Sequence, residues 1–325
     1  MISKADLFHI KDEKDFKTYA LDVYSYQYKN NKVYRRWCEL TQTKRVEDIC
    51  DIPFLPVSFF KTHNVTSMEE KEPEDYFLSS GTVNMTRSRH NVYSKQHYID
   101  NTFNCFEQFY GKVDNYCYVC LLPNYMEQSH SSLICMMDAF VGRSIYKQSG
   151  FFKDNVKDVI EVLENNESNG IKTVLFGVTY ALLDLIAVKK FHFRHTIVFE
   201  TGGMKGRRKE VAKKELHAIL KEGFGVENIA SEYGMCELFS QAYAVRNGLF
   251  QTPEQMKVLI RPINDPKGEC LIERSGIINI IDLANIDTCS FIQTEDVGLK
   301  HKDSSFEIIG RLSHSDLRGC NLMYA

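Results

Sequence analysis

The sequence predicts an α/β fold with a largely parallel sheet, followed by a smaller β-rich part. Apolar runs of strand type at 116–122, 173–177 and 196–199 alternate with segments whose apolar residues recur every three or four positions. Strands that alternate with helices favour parallel pairing, because the crossover helix returns the chain to the edge where the previous strand began. After about Lys257, short alternating segments separated by turns indicate antiparallel strands.

The N-terminal part is predicted to be helical. From Asp12 to about Cys38, apolar and aromatic side chains recur at spacings of three and four, which is the pattern of one helix face. The proline-containing segment 52–56 ends this run, because proline lacks the amide hydrogen that a helix needs. A short buried strand is predicted at 76–78, and it opens into a loop rich in Ser, Gly and Thr.

The remaining elements complete the alternation and the β-rich part. Helices are predicted at 131–141, 156–165, 180–189 and about 209–221, and β segments at 257–262, 269–273 and 276–281. The expected division has a helical N-terminal segment at 1–50, an α/β core at 51–256, a β-rich part of the same domain at 257–310, and a hinge with the C-terminal tail at 311–325.

The composition is that of a soluble globular protein. The chain has 325 residues, of which 43% are hydrophobic and 26% are charged, and a net charge of −3. Because both signs of charge are interspersed, the sequence excludes a nucleic-acid tract. No apolar run approaches the roughly 20 residues that span a bilayer, and no signal peptide is visible. The ten cysteines are therefore expected to be reduced thiols in the cytoplasm.

A first candidate motif follows the strand at 76–78. Its hydroxyl and backbone amide groups are suited to phosphate oxygens, and its residues are Ser79, Ser80, Gly81 and Thr82. It is not a Walker A loop, because no Gly-Lys-Ser/Thr follows. An ordinary Ser/Gly turn explains this segment at least as well when the segment is considered alone.

Two further motifs lie downstream. Tyr233 precedes Gly234, so that its ring can stack on a base, and the Glu237 carboxylate can hold Mg²⁺ beside a phosphate. Asp296 is expected at the end of a strand, where it can accept ribose hydroxyls, and Arg311 can pair with phosphate. Each of these segments alone is more simply explained as a turn.

The three motifs in this order resemble the adenylate-forming superfamily of acyl- and aryl-CoA ligases and luciferases. The closer resemblance is to the acyl-protein synthetase family of bacterial bioluminescence, the LuxE type. It includes the segment 53–57, the pair Phe60-Lys61 and the segment 315–320, and it covers residue 50 to the end. The resemblance implies the large N-terminal-type domain of adenylate-forming enzymes, with mixed and parallel sheets flanked by helices and a small C-terminal β-rich part.

The resemblance also implies an activity. A carboxylic acid, here a fatty acid, is activated with ATP and Mg²⁺ to an acyl-adenylate, and the acyl group is captured as a thioester on the enzyme's own cysteine. An acyl-accepting reductase or a carrier protein is the implied partner, and a homo-oligomer is compatible with the sequence.

The implied site residues are the phosphate-binding Ser79, Ser80, Gly81 and Thr82, the adenine-lining Gly202 and Gly203, the base-stacking Tyr233 with Gly234, the Mg²⁺ ligand Glu237, the ribose-binding Asp296 and Arg311, the hinge residue Asp316 and the acylated Cys320. For Cys320, Arg318 nearby favours the reactive thiolate, but an idle cysteine in a tail explains the residue equally well.

Two features depart from the superfamily pattern. Cys236 stands where a threonine is usual, and a thiol is a weaker hydrogen-bond donor than a hydroxyl. The sequence also ends soon after Arg311, so the lysine-bearing C-terminal subdomain of CoA ligases is expected to be absent. The candidates for a replacement cation are Arg87, Lys205 and Arg207.

Two other functions stay open at this point. One is an acyl- or aryl-CoA or carrier-protein ligase in which Cys320 is idle, and the other is a non-catalytic nucleotide-binding subunit of a complex. Cys117 and Cys120 form a CxxC sequence, but residues three apart on a strand face opposite sides. These two cysteines are therefore expected to be part of the core.

Overall fold

The computed structural model describes residues 9–43, 45–79, 86–122, 130–152, 155–202, 213–246, 248–265 and 267–312. Within them the helices are α1 (Glu13–Asn30), α2 (Lys32–Leu40), α3 (Phe59–Thr62), α4 (Lys95–Tyr110), α5 (Ser132–Arg143), α6 (Val156–Ser168), α7 (Thr179–Val188) and α8 (Lys213–Phe224). The strands are β1 (Leu55–Pro56), β2 (Asp75–Leu78), β3 (Arg89–Val92), β4 (Cys117–Leu121), β5 (Gly150–Phe151), β6 (Thr173–Val178), β7 (Thr196–Thr201), β8 (Ala230–Tyr233), β9 (Ala242–Arg246), β10 (Leu249–Gln251), β11 (Met256–Arg261), β12 (Ser275–Asp282), β13 (Phe291–Lys300) and β14 (Phe306–Arg311).

The chain divides into two compact units. The first unit comprises residues 1–98, 236–240 and 251–325, and the second comprises 99–235 and 241–250. The division expected from the sequence, with boundaries at residues 50, 256 and 310, stays a prediction.

The first unit contains the β-rich part. Strands β11 to β14 pair antiparallel in chain order, and β1 pairs parallel with β13. A separate antiparallel hairpin is formed by β2 and β3. The antiparallel strands expected after Lys257 are therefore confirmed.

The helix predicted from Asp12 to Cys38 is two helices, α1 and α2. Asp12 caps α1 by accepting a hydrogen bond from the Asp15 amide at 2.8 Å. The break lies at the fully buried Asn31, whose backbone is extended. Its side-chain oxygen accepts from the Tyr34 amide at 2.9 Å, and its amide group donates to the Thr288 carbonyl at 2.9 Å. The Asn31 side chain thus binds both the start of α2 and a distant loop. These bonds break the helix at a point where the apolar periodicity of the sequence continues.

The proline-containing segment 52–56 is held against β13. The Tyr34 hydroxyl donates to the Pro53 carbonyl at 2.7 Å, and the Trp37 indole donates to the Phe54 carbonyl at 2.9 Å. Leu55 then pairs with Ile292 in β13. These bonds satisfy the carbonyls of a segment that proline prevents from becoming a helix.

The second unit is the predicted parallel α/β body. Its strands follow the order β5, β4, β6, β7, β8, all paired in parallel, and β9 extends the sheet antiparallel to β8. Helices α6, α7 and α8 pack on the sheet through a core that includes the buried Leu175, Val198, Leu220 and Phe224. Cys117 and Cys120 are fully buried, so their assignment to the core is confirmed.

Two local predictions in the first unit are wrong. Residues 269–273 form no strand, because Glu273 adopts a positive φ of 54° and the chain turns there. Asp296 does not end a strand but lies within β13, where the register shifts between Val297 and Gly298. A Cβ at position 298 would meet the Glu307 carbonyl, so glycine permits this irregularity.

Among the described residues, no helix has the combination of length and apolar composition that crossing a bilayer requires.

Candidate functional site

The predicted phosphate loop begins at the open end of the β2–β3 hairpin. The Ser79 amide donates to the Ser88 carbonyl at 3.1 Å, and the Ser88 amide donates to the Ser79 hydroxyl oxygen at 2.9 Å. Because the Ser79 oxygen accepts this bond, its own hydrogen stays available to another acceptor. The hairpin thus fixes the two ends of a hydroxyl-rich loop, of which Ser80, Gly81 and Thr82 lie outside the described residues.

Buried side chains of the first unit form hydrogen bonds to the segment Cys236–Ser240. We call this arrangement the 236–240 clamp. His90, on β3, bonds the Cys236 carbonyl through Nδ1 at 2.7 Å, and Asn285 donates to the Glu237 carbonyl at 2.7 Å. Both side chains are buried. Consecutive carbonyls are therefore fixed from two different elements.

The protonation of His90 follows from its partners. A carbonyl only accepts, so Nδ1 carries the hydrogen, and Nε2 accepts from the Thr288 hydroxyl at 2.8 Å. Burial lowers the pKa of His90 to about 4. The imidazole is thus neutral at pH 7, in the tautomer that the clamp requires.

Asp282, at the end of β12, completes the 236–240 clamp. Its carboxylate accepts from the Phe239 amide at 2.8 Å, the Ser240 amide at 2.9 Å and the Ser240 hydroxyl at 2.7 Å. Burial raises the pKa of Asp282, and these hydrogen bonds oppose that rise. The clamp is therefore a polar network within the core, in which the Asp282 oxygens are bonded and the Asn285 side-chain oxygen has no hydrogen-bond partner among the described residues.

Glu237 lies within this hydrogen-bonded segment and is only 5% exposed. None of the ion pairs found between described residues involves its carboxylate, which hydrogen-bonds with the neighbouring Cys236 thiol. Nor do the described residues contain any group of three or more His, Cys, Asp or Glu side chains placed to hold a metal. A single buried carboxylate fits Mg²⁺, which usually takes one or two carboxylates and completes its shell with water and phosphate.

Asp296 and Arg311 are register partners on β13 and β14, and we call them the exposed pair. The Arg311 Nε atom lies 3.9 Å from Asp296 Oδ1, and a terminal nitrogen of Arg311 lies 3.0 Å from Glu295 Oε2. The Lys61 ammonium approaches Glu295 Oε1 at 3.9 Å. The side chain of Arg311 is 66% exposed, whereas that of Asp296 is 17% exposed. The ribose-binding candidates are thus adjacent.

A cleft of about 490 Å³ in the first unit brings cationic side chains together. Lys61, Arg87 and Arg89 are among its lining residues. Arg89 lies over the Tyr76 ring at 4.1 Å and donates to the Asn91 side chain at 3.1 Å. Arg87, one of the predicted replacement cations, therefore shares a cleft with Lys61, whereas Lys205 and Arg207 lie outside the described residues.

Gly202 follows β7 in the second unit, with a positive φ of 72°. The Thr179 hydroxyl lies 2.5 Å from the Gly202 carbonyl and also contacts the Glu200 carboxylate. His217, on α8, approaches Glu200 at 3.9 Å. The turn that was predicted to line adenine is thus anchored on its strand side, and Gly203 lies outside the described residues.

Tyr233 and Gly234 end β8 in the second unit. The Tyr233 ring is buried and meets the Phe250 ring edge-on, with centroids 5.9 Å apart. A Cβ at position 234 would collide with the end of the Glu232 side chain, which would have to shift if glycine were replaced. Burial raises the pKa of Glu232 to about 7. Glu232 is a titratable group that the motif analysis did not identify.

The sequence analysis also missed His90, Asp282 and Asn285. Asp282 and Asn285 are single polar residues within or beside apolar segments, and His90 stands in the polar run 86–91, so none of them gives a periodic signal. Their function as clamp residues arises only from contacts across 146, 42 and 48 positions of the chain. The predicted hinge Asp316 and the predicted acyl acceptor Cys320 lie outside the described residues.

Sequence comparisons confirm the resemblance that the motifs indicated. The sequence model of the family "Acyl-protein synthetase, LuxE" matches residues 2–104. The chain is 23% identical over 338 residues to a long-chain-fatty-acid–luciferin-component ligase of Vibrio harveyi, covering 92% of this chain and 84% of that relative. A ligase of the same name from Photorhabdus luminescens is 36% identical over 73 residues, which are 22% of this chain and 63% of that relative.

Solved structures confirm the fold class. The structure of a 2-hydroxyisobutyryl-CoA ligase in complex with 2-HIB-AMP matches with a TM-score of 0.65 at 12% identity, over 92% of this chain and 68% of the other. ATP-bound MatB from Rhodopseudomonas palustris matches with a TM-score of 0.54 at 13% identity, over 73% of this chain and 47% of the other. At these identities the likeness shows a common fold.

Proposed function

We propose that this protein is an ATP-dependent ligase that activates a long-chain fatty acid to its acyl-adenylate and captures the acyl group on Cys320. The observation that carries the proposal is the buried Glu237, fixed in the 236–240 clamp without a cationic side chain among the described residues. A buried carboxylate is costly unless a positive partner compensates for its lost hydration. MgATP supplies such a partner. The names of the sequence relatives support a long-chain fatty acid as substrate.

In the first step, the fatty-acid carboxylate attacks the α-phosphorus of ATP and pyrophosphate leaves. Ser79, Ser80, Gly81 and Thr82 donate hydrogen bonds to phosphate oxygens, and Glu237 would hold Mg²⁺, which would neutralise part of the phosphate charge. Donors fixed before the reaction stabilise the charge that develops in the transition state without reorganisation. The Ser79 oxygen already accepts a hydrogen bond from the Ser88 amide, and its own hydrogen is the one proposed to reach a phosphate oxygen.

The remaining proposed contacts hold the nucleoside. Asp296 accepts the ribose hydroxyls, and Arg311 pairs with the ribose or phosphate. Gly202, Gly203 and Gly234 leave room for adenine, and Tyr233 contacts the base. Lys61 and Arg87 line one cleft of the first unit. We propose these two described cations as candidates to replace the catalytic lysine of CoA ligases.

In the second step, the Cys320 thiolate attacks the carbonyl carbon of the mixed anhydride. The carbon–oxygen bond to AMP breaks, AMP leaves with the electron pair, and a thioester remains on the enzyme. Asp316 is the proposed hinge that moves the tail. The acyl group then passes to an acyl-accepting reductase or a carrier protein in the cytoplasm.

Acid-dependent exchange of labelled pyrophosphate into ATP tests the adenylation step. We expect exchange with saturated fatty acids, and a loss of exchange in Glu237→Gln. Asp22→Asn is a matched control, because Asp22 is exposed on α1 in the first unit. A complete lack of exchange with every acid tested would contradict the proposal and favour a non-catalytic nucleotide-binding subunit.

A further inference from the structure

Two cysteines far apart in sequence meet at the surface of the first unit. Cys50 and Cys270 are 220 positions apart, and their sulfur atoms lie 2.9 Å from each other. Both are free thiols, with Cys50 exposed and Cys270 partly exposed. A disulfide requires the sulfur atoms to approach to about 2.05 Å, so a shift of less than an ångström would bond them.

Positive side chains surround this thiol pair. A terminal nitrogen of Arg261 donates to the Cys50 carbonyl at 2.6 Å and to the Ile52 carbonyl at 3.2 Å, and the guanidinium also hydrogen-bonds to the Cys270 sulfur. The Lys300 ammonium is fixed by its bond to the Val258 carbonyl at 2.9 Å and acts on the same sulfur. Arg261 therefore fixes the backbone of one cysteine while it stabilises the thiolate of the other.

The charges make one member of the pair reactive. The hydrogen bond shared with Cys50 lowers the pKa of Cys270 to about 7 against the opposing effect of burial, and Arg261 and Lys300 add to the decrease. The same hydrogen bond raises the pKa of Cys50, with burial and the Asp48 carboxylate acting in the same direction. At neutral pH, Cys270 is thus the attacking thiolate and Cys50 the thiol that reacts second.

We infer that Cys50 and Cys270 form a redox-active pair that closes to a disulfide by exchange with a small-molecule disulfide such as oxidised glutathione. The Cys270 thiolate attacks one sulfur of oxidised glutathione, and one glutathione thiolate leaves. The Cys50 sulfur, after losing its proton, then attacks the Cys270 sulfur of the mixed disulfide and displaces the second glutathione. One disulfide bond breaks and one forms, so the protein is oxidised by two electrons and glutathione disulfide is reduced.

Closure of the pair ties the N-terminal segment to the β-rich part of the same unit. Cys50 directly precedes the segment 52–56, which leads through β1 onto β13. Because a cross-link over 220 positions restricts the unfolded chain strongly, the oxidised form is the more stable one. The inference does not depend on acyl transfer, because the redox state of the two sulfur atoms is read directly.

The test treats the full chain with oxidised glutathione at pH 7.5 and maps tryptic peptides without reduction. Cleavage after Arg45, Lys61, Lys267 and Arg274 gives the peptides 46–61 and 268–274, each with one cysteine. We expect these peptides to be cross-linked, the cross-link to be removed by dithiothreitol, and the Tm of the oxidised protein to rise by about 5 °C. Absence of this cross-link, or cross-links only between other cysteines, would overturn the inference.

Two variants sharpen the test. Cys50→Ser is expected to stop the reaction at the mixed disulfide, so that one glutathione stays on the peptide 268–274. Lys300→Gln is expected to slow closure about threefold at pH 7, because less of Cys270 is ionised. Equal closure rates in Lys300→Gln and the unsubstituted protein would contradict the assigned electrostatics, and glutathione found on the peptide 46–61 in Cys270→Ser would contradict the order of attack.

Discussion

The 236–240 clamp and the exposed pair belong to one proposed nucleotide site, but they are built in opposite ways. The clamp consists of buried polar groups whose hydrogen bonds are made within the first unit, through His90, Asp282 and Asn285. In the exposed pair, water screens the charge of Arg311, whose side chain is 66% exposed, whereas the side chain of Asp296 is only 17% exposed. The difference indicates that the clamp contributes to both folding and function, whereas substitutions at the exposed pair are expected to affect ligand binding more than folding.

The largest effect on activity is expected for the substitution of Glu237, the carboxylate held in the 236–240 clamp. Glu237→Gln is expected to lower the rate of acyl-adenylate formation about 10³-fold, equivalent to about 4 kcal/mol, because the amide cannot neutralise Mg²⁺. Unfolding by urea is expected to change by less than about 1 kcal/mol, since a buried charge is removed with no loss of shape. A large loss of stability with unchanged adenylation would instead make Glu237 a structural residue.

The next largest effect is expected on folding. Asp282→Ala removes the acceptor of the Phe239 and Ser240 amides and leaves these buried donors without a partner. We expect a loss of about 3 to 4 kcal/mol in the free energy of unfolding, measured by urea denaturation. Asp22→Ala, on the exposed face of α1, is the control, with an expected change within about 0.5 kcal/mol. Equal losses of stability in Asp282→Ala and Asp22→Ala would show that Asp282 does not stabilise the 236–240 clamp.

The pH dependence of stability tests the neutral His90. The folded pKa of about 4 lies below the usual value of 6.5, so the unfolded chain binds the additional proton between these values. Stability from this group is therefore complete above pH 6.5 and is lost as the pH falls toward 4. The unsubstituted protein is expected to lose about 3 kcal/mol more than His90→Asn over this range. Parallel stability curves for the two proteins would show that the pKa of His90 does not differ between the folded and unfolded states, which would contradict its burial as a neutral imidazole.

The smallest effect on folding is expected at the exposed pair. Arg311→Ala is expected to change the free energy of unfolding by less than about 0.5 kcal/mol, because exposed ion pairs contribute little. The KM for ATP is expected to rise about tenfold, since an arginine contact to the nucleotide is lost. An unchanged KM, measured by pyrophosphate exchange, would remove Arg311 from the proposed site.

The sequence predicted the features that depend on local patterns. The strands at 117–121, 173–178 and 196–201 were recognisable because each is a short apolar run buried on both faces. The antiparallel strands β11 and β12 were recognisable from their alternation and flanking turns. The break at Asn31 was not recognisable, because its cause is a hydrogen bond to the carbonyl of Thr288, 257 positions away.

The candidate site shows the same limit. Glu237 and the exposed pair were predicted through their motifs, but what holds Glu237 in place was not. In the sequence His90 is one of several consecutive polar residues at 86–91, and its function as a clamp residue depends on its burial beside Cys236 and Thr288. Tertiary hydrogen bonds of this kind carry no periodicity, so single-sequence patterns do not reveal them.

The central claim is that the acyl group of an adenylate ends on Cys320, and intact-protein mass spectrometry tests it most directly. The protein is incubated with ATP, Mg²⁺ and a panel of fatty acids, beside Cys320→Ala and the control Cys270→Ala, which removes the other reactive thiol. The account predicts an adduct with the mass of one acyl group that hydroxylamine removes, present in Cys270→Ala and absent in Cys320→Ala. Release of AMP without any adduct would contradict covalent capture and favour an external acceptor such as coenzyme A.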